Sequence, residues 1–201
     1  MDVRSQFTHC RQSVSAQIYG VSLRISRIVR ESPFGIVRRR PEPKGKFAGT
    51  CESSAYWEAD STAHGFVRAA DGTITTFDPP GSTKTYTVSI NPAGAITGTY
   101  YDTVSTSHGF VRAADGTITT FDPPGSTGTI PWSINPAGTI TGWYEDASYN
   151  PHGFVRAADG TITTFDPPGS TFTRSLGINP AGRITGWYSD GHFTHGFVLL
   201  P

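Results

Sequence analysis

HGFVRAADGTITTFDPPGST fills residues 64–83, recurs letter for letter at 108–127 and 152–171, and lends its first four letters to residues 195–198. The four starts lie 44, 44 and 43 residues apart. A period of this length, in a chain rich in Gly, Thr and aromatic residues and without helical patterning, is the sign of a repeat architecture, with a propeller blade as the best-fitting unit. Each copy reads as four short strands. HGFVRA comes first, and Asp71-Gly72 then supplies the positive φ of a tight hairpin turn. TITTFD follows and is stopped by Asp78-Pro79-Pro80-Gly81, because two prolines cannot donate to a ladder. TVSI is the third strand, Asn91-Pro92-Ala93-Gly94 the next turn, and AITGTYYD the fourth strand.

Successive strand residues face opposite sides, so Ile74 and Phe77, and likewise Phe66 and Val67, place apolar groups on both faces of the sheet. A sheet with one wet face has no use for this, whereas a blade between two neighbours does. The expected fold is therefore all-β: a small propeller of about four four-stranded blades, closed by pairing of residues 195–201 with the N-terminal region. A β-solenoid, or an open fragment of a larger propeller, is the alternative. The division that follows is a polar start at 1–15, a degenerate repeat at 16–63, repeats at 64–107, 108–151 and 152–194, and a closing strand at 195–201. The degenerate copy rests on an offset of 49 residues, which sets Ile25 and Ile28 on Ile74 and Phe77, and Pro43 and Gly45 on Pro92 and Gly94. An insertion is expected around residues 51–60.

HGFVRAADGTITTFDPPGS followed by SINPAGTITGWYED resembles the bacterial extracellular HAF repeat, named for a His-Ala-Phe tripeptide that reads His-Gly-Phe in this chain. The resemblance covers residues 45–198. It implies a propeller-like repeat and export, hence an extracellular or cell-surface location, and it implies no particular activity. The first thirty residues have scattered charges where a signal peptide needs an unbroken apolar stretch, so no export signal is visible.

Formal charge is zero overall but divided, with +7 up to Lys46 and −7 beyond it. The basic start lacks any nucleic-acid-binding motif, so nucleic acid is not an expected partner. No apolar run approaches the roughly 20 residues of a membrane helix. Cys10 and Cys51 have no metal-type spacing and indicate no disulfide framework.

The aromatic-acidic end of the fourth strand is the candidate ligand-binding surface: Tyr100 with Asp102, Trp143 with Asp146, and Trp187 with Asp190. Aromatic faces beside carboxylates suit sugar rings, and the same residues also suit a core between blades. His64, His108, His152 and His195 open the first strands and would form a ring if those strands met at an axis, yet the motif offers no companion ligands, so no metal or cofactor is expected. Asp71, Asp115 and Asp159, and Asp78, Asp122 and Asp166, are explained by turn chemistry. Every polar candidate comes in near-equivalent copies, whereas a catalytic site tends to break symmetry. The functional expectation is a non-enzymatic binding or scaffold module with a glycan or protein partner, oligomeric if the ring is incomplete. Its alternatives are a multivalent lectin-like propeller and a hydrolase using Asp102 or Asp146.

Overall fold

A computed structural model describes residues 10–18, 21–26, 47–53, 62–69 and 71–201. Among them there are sixteen strands and no helix. β1 (Cys10–Ile18), β2 (Val21–Ser26) and β3 (Phe47–Ser53) precede β4 (Thr62–Arg68) and β5 (Ile74–Phe77). A first four-strand set follows as β6 (Lys84–Ile90), β7 (Ile96–Tyr101), β8 (Ser107–Arg112) and β9 (Ile118–Phe121). The second is β10 (Gly128–Ile134), β11 (Ile140–Glu145), β12 (Pro151–Arg156) and β13 (Ile162–Phe165). The chain ends with β14 (Phe172–Ile178), β15 (Ile184–Ser189) and β16 (Thr194–Leu199).

These strands form a nine-stranded sheet, β2-β1-β3-β4-β6-β7-β8-β9 with β5 on β4, a four-stranded sheet β10-β11-β12-β13, and a three-stranded sheet β14-β15-β16. Every pairing is antiparallel except a single bridge, Ala63 to Lys84, which joins β4 to β6. The antiparallel unit does not begin where the sequence copy begins. HGFVR and ITTF strands close one meander, and the SI strand after the Pro-Pro loop opens the next, as in β10-β11-β12-β13. The reason is physical: the prolines break the ladder inside each copy, while the loop between ITG and HGF strands is short enough for a hairpin.

β3 carries the same pattern into the N-terminal region, since Cys51 lies opposite His64 in the register that sets Tyr100 opposite His108. Ile28, Pro43 and Gly45 of the expected degenerate copy, and most of its expected insertion, lie outside the described residues.

Turn chemistry follows the sequence with one adjustment. Gly116 takes φ +99° but Asp115 does not take positive φ, and its carboxylate instead accepts the Thr117 N–H at 2.9 Å, as that of Asp71 accepts the Thr73 N–H beside Gly72. Each SI strand has a bulge, which leaves Val88, Trp132 and Leu176 without a partner in the β6–β7, β10–β11 and β14–β15 registers.

The core lies between successive units. Val67 and Phe77 pack on Ile96, Tyr100 and Phe110, and Val111 and Phe121 join Ile134, Ile140 and Phe154 one unit later. Phe77–Phe110, Phe121–Phe154 and Phe165–Phe197 make the same edge-to-face contact three times, at 6.0, 6.0 and 5.8 Å. The two-faced strands of the sequence are therefore two-faced for the expected reason. Polar groups join the units as well. Asn91 Nδ2 donates to the Asn135 carbonyl at 3.1 Å and Asn135 Nδ2 to the Asn179 carbonyl at 3.4 Å, while each Oδ1 accepts the N–H four residues on.

The expected pairing of the C-terminal strand with the first 63 residues is absent among the described residues. β16 pairs with β15 alone, and Val198 is 62% exposed.

Candidate functional site

Strand register brings a histidine and two carboxylates together at the same end of successive sheets. β7 and β8 set Tyr100 opposite His108, and their rings stack with centroids 5.1 Å apart. Asp102 opens the connecting loop. Its Oδ1 accepts the N–H groups of Val104 at 2.9 Å and Thr106 at 2.8 Å, and its Oδ2 lies 3.4 Å from His108 Nε2. On the other side of the ring, His108 Nδ1 is 2.7 Å from Asp122 Oδ2, and Asp122 Oδ1 accepts the Thr129 hydroxyl proton at 2.5 Å.

The next sheet repeats this. His152 Nε2 lies 3.4 Å from Asp146 and Nδ1 2.7 Å from Asp166, the ring is 5.3 Å from Tyr144, and Asp146 Oδ1 accepts from Ser148 and Asn150. Among the described residues, half of the arrangement occurs at either end of the series. His64 reaches Asp78 at 2.7 Å, with Asp78 accepting the Thr85 hydroxyl proton, while His195 reaches Asp190 at 2.9 Å and stacks on Tyr188.

A histidine with a carboxylate at both ring nitrogens donates to both only as imidazolium. Partial burial pushes the His108 and His152 pKa values down, but the hydrogen bonds and charges of their paired aspartates outweigh it and hold both above the ordinary value. Asp102 is held low first by the Thr106 N–H, and Asp146 first by the Asn150 N–H. Asp190 falls to about 2, chiefly through the Phe193 N–H and then His195. Burial pushes the Tyr100 and Tyr144 phenols up. These groups are partly exposed, with His108 at 24% and Asp122 at 37% of side-chain surface. Among the described residues, no three His, Cys, Asp or Glu side chains are grouped so as to hold a metal.

The two tryptophans of the expected surface sit apart from these clusters. Both are half-buried. The Arg174 guanidinium from β14 lies 4.2 Å over the Trp143 ring and 5.6 Å from that of Trp187, and Phe172 meets Trp187 edge-on at 5.2 Å. One face of Trp143 is thus covered by the following sheet. Arg174 Nε is buried with no hydrogen-bond partner, so the cation–π contacts are what hold its head group. Tyr100, only 9% exposed, is core.

No family model and no curated protein matches this chain.

The sequence reading missed the histidine-aspartate clusters, although their signal was present as an Asp six residues before and fourteen after each of His108 and His152. It also missed the loop tips. Val104, Tyr149 and Phe193 are 77%, 74% and 70% exposed, each two or three residues beyond Asp102, Asp146 or Asp190. Trp132, at a bulge, is 41% exposed. Asp71, Asp115 and Asp159 do the turn work assigned to them, each accepting the N–H two residues on at 2.9 Å. A cleft of about 120 Å³ lies between two successive units, lined by Val67, Thr73, Thr75, Gly94 and Arg112 among others.

Proposed function

We propose that this chain is a non-enzymatic repeat protein, a small propeller of about four blades that acts as a surface or extracellular binding or scaffold module. The carrying observation is how the candidate acids and bases are used. In both complete clusters one carboxylate, Asp102 or Asp146, accepts hydrogen bonds from loop N–H groups, and the histidine lies between it and a second, Asp122 or Asp166, so the carboxylates serve to clasp one loop to the next. A general acid or nucleophile needs an open valence toward substrate and a counterpart in a different environment, and the repeated clasps offer neither asymmetry. The propeller reading is supported by successive units that pack on one another through one repeated set of contacts.

A lectin-like reading has its own support in the exposed aromatic tips, Tyr149 beside Asp146 and Phe193 beside Asp190. Such platforms bind weakly one at a time and gain by being linked. The test is a panel of glycosides, esters and immobilised glycans. Turnover that disappears in the Asp102→Asn or Asp146→Asn protein would refute the non-enzymatic reading. Polymer binding lost in a Tyr149→Ala, Phe193→Ala double variant but kept in Trp143→Ala would establish the tips as the glycan surface.

A further inference from the structure

The His-Gly-Phe strands carry the histidine clasp at one end and an arginine at the other. Arg112 closes β8 and Arg156 closes β12, each four residues after its histidine. Both head groups are held alike. The guanidinium carbon of Arg112 lies 4.9 Å over the Phe77 ring of the preceding unit, and that of Arg156 lies 5.0 Å over Phe121. Each Nη1 donates to the carbonyl of the next residue at 3.3 Å, and each Nε is buried with no hydrogen-bond partner. A Cβ on Gly116 or Gly160 would stand 3.4 or 3.5 Å from Nη2, so the hairpin turn roofs the group in both places.

Neither arginine has an ion-pair partner among the described residues, where the ion pairs all join a histidine to an aspartate. The aspartate three residues on is committed to its own turn. Asp115 and Asp159 are held low first by the Thr117 and Thr161 N–H groups, and the arginine charge is a lesser cause. Arg156 is only 8% exposed, and its burial pushes its pKa down. A buried cation is ordinarily paired, yet these two receive an aromatic face and one carbonyl each. Their unspent donors are on the terminal nitrogens.

At the first junction the space beside the guanidinium is open. The cleft of about 120 Å³ is lined by Val67, Ala69, Thr73 and Thr75 from one unit and by Arg112 and Ala114 from the next. A space of about 10–15 Å³ holds one water, so this cleft takes a molecule of several heavy atoms. Its lining combines one cation and the hydroxyls of two exposed threonines with three short apolar side chains. The second junction has the same residue types at the same places, and a Cβ on Gly138 would stand 3.4 Å from Ala158, as one on Gly94 would stand 3.5 Å from Ala114.

We propose that this cleft binds the carboxylate of a small aliphatic monocarboxylic acid, with a second such site beside Arg156. The terminal nitrogens of the arginine donate to the planar carboxylate, Thr75 donates its hydroxyl proton, and the short alkyl chain lies on Val67, Ala69 and Ala114. A monoanion suits the cleft better than a phosphate dianion, because one cation is offered and an aspartate stands near it. At the junction with β16, Leu199 takes the arginine's position although the Phe165–Phe197 contact is kept, so that junction should take no carboxylate. The site is at the opposite end of the sheet from the clasps and does not depend on whether the loop tips bind glycans.

The test is an NMR titration of the full nitrogen-15-labelled chain with sodium propionate at neutral pH and constant ionic strength, alongside sodium chloride and inorganic phosphate. Saturable shifts are expected at Gly94, Ala114 and Arg112 Nε–H, and at Gly138, Ala158 and Arg156 Nε–H, with midpoints on the order of millimolar. Gly182, at the Leu199 junction, should not respond. Acetate should bind about two- to fourfold more weakly than propionate, for the loss of one buried methylene. Arg112→Met, whose unbranched side chain still covers Phe77, should abolish the response at Gly94 and Ala114 and leave that at Gly138 and Ala158; Arg156→Met should do the reverse. Arg112→Lys, which keeps the charge without the planar fork, should weaken the first site several-fold. The proposal is overturned by a response that stays linear throughout the titration, by an equal response to chloride, by phosphate binding as tightly as propionate, or by wild-type affinity at the first site in either Arg112 variant.

Discussion

Gly153→Ala and Gly196→Ala make the same chemical change at equivalent places in two sheets, and they should move stability in opposite directions. At Gly153 the new methyl would stand 2.7, 2.8 and 3.0 Å from three ring carbons of Phe165, a ring that already packs edge-on against Phe197. The ring has to turn or the two strands have to separate. Overpacking of this kind costs about 1–3 kcal/mol, of which roughly 0.4–1 kcal/mol is offset by the smaller entropy of the unfolded alanine chain. The net loss should be about 1–2 kcal/mol, a fall in melting temperature of roughly 2–8 °C for a chain of this size. At Gly196 the nearest atom is 3.9 Å away, so only the entropic gain remains and stability should hold or rise by up to about 1 kcal/mol. Urea unfolding followed by tryptophan fluorescence measures both. Equal tolerance of the two substitutions would refute the claim that glycine is kept in this strand to seat a neighbouring phenylalanine.

Asn135→Ala should cost about 1–3 kcal/mol in the same assay, because it strands the Thr139 N–H and removes the link to the Asn179 carbonyl at a site only 4% exposed. Trp143→Ala should cost roughly 2 kcal/mol, less than a full core truncation since the ring is half-buried, and Arg174→Met should recover much of the stability lost by uncovering the guanidinium. Stability against pH should form a plateau. The His108 and His152 contributions are complete below about 6.5 and fade as pH rises through their higher folded values, whereas those of Asp102, Asp146 and Asp190 are complete above about 3.8 and fade as pH falls through their lower ones. Melting temperature should accordingly be highest between about pH 4 and 6.5, and a His108→Gln, His152→Gln protein should lose the decline on the alkaline side.

Much of this architecture is written locally, and local features were readable. The Pro79-Pro80 stop, the Asp71-Gly72 hairpin and the opposed Phe66 and Val67 each act within a few residues, and each is found where the letters put it. What the letters hid depends on distance. Which strand opens a sheet is decided by pairing across the copy boundary, and nothing within one copy distinguishes β5 followed by β6 from β7 followed by β8. The clasp of His108 by Asp102 and Asp122 needs two loops to meet at one end of a sheet, so Asp122 reads as an isolated turn residue and Asp102 as the acid of an aromatic platform. The aromatic surface is placed by residue type, and the structure divides it: Tyr100 is core, Trp143 is covered by Arg174 from the following sheet, and the most exposed rings are Tyr149 and Phe193 in the loops. Exposure of a loop tip is a tertiary property with no periodic signal.

The histidine clasp is the feature on which the non-catalytic reading turns, and nitrogen-15 NMR of the imidazoles across a pH titration measures it directly. His108 and His152 should titrate above 6.5, with both ring nitrogens protonated below that transition and their protons protected from solvent exchange by the paired aspartates. Midpoints at or below 6.5, with one nitrogen free and exchanging rapidly, would show imidazoles open to a substrate and would contradict it.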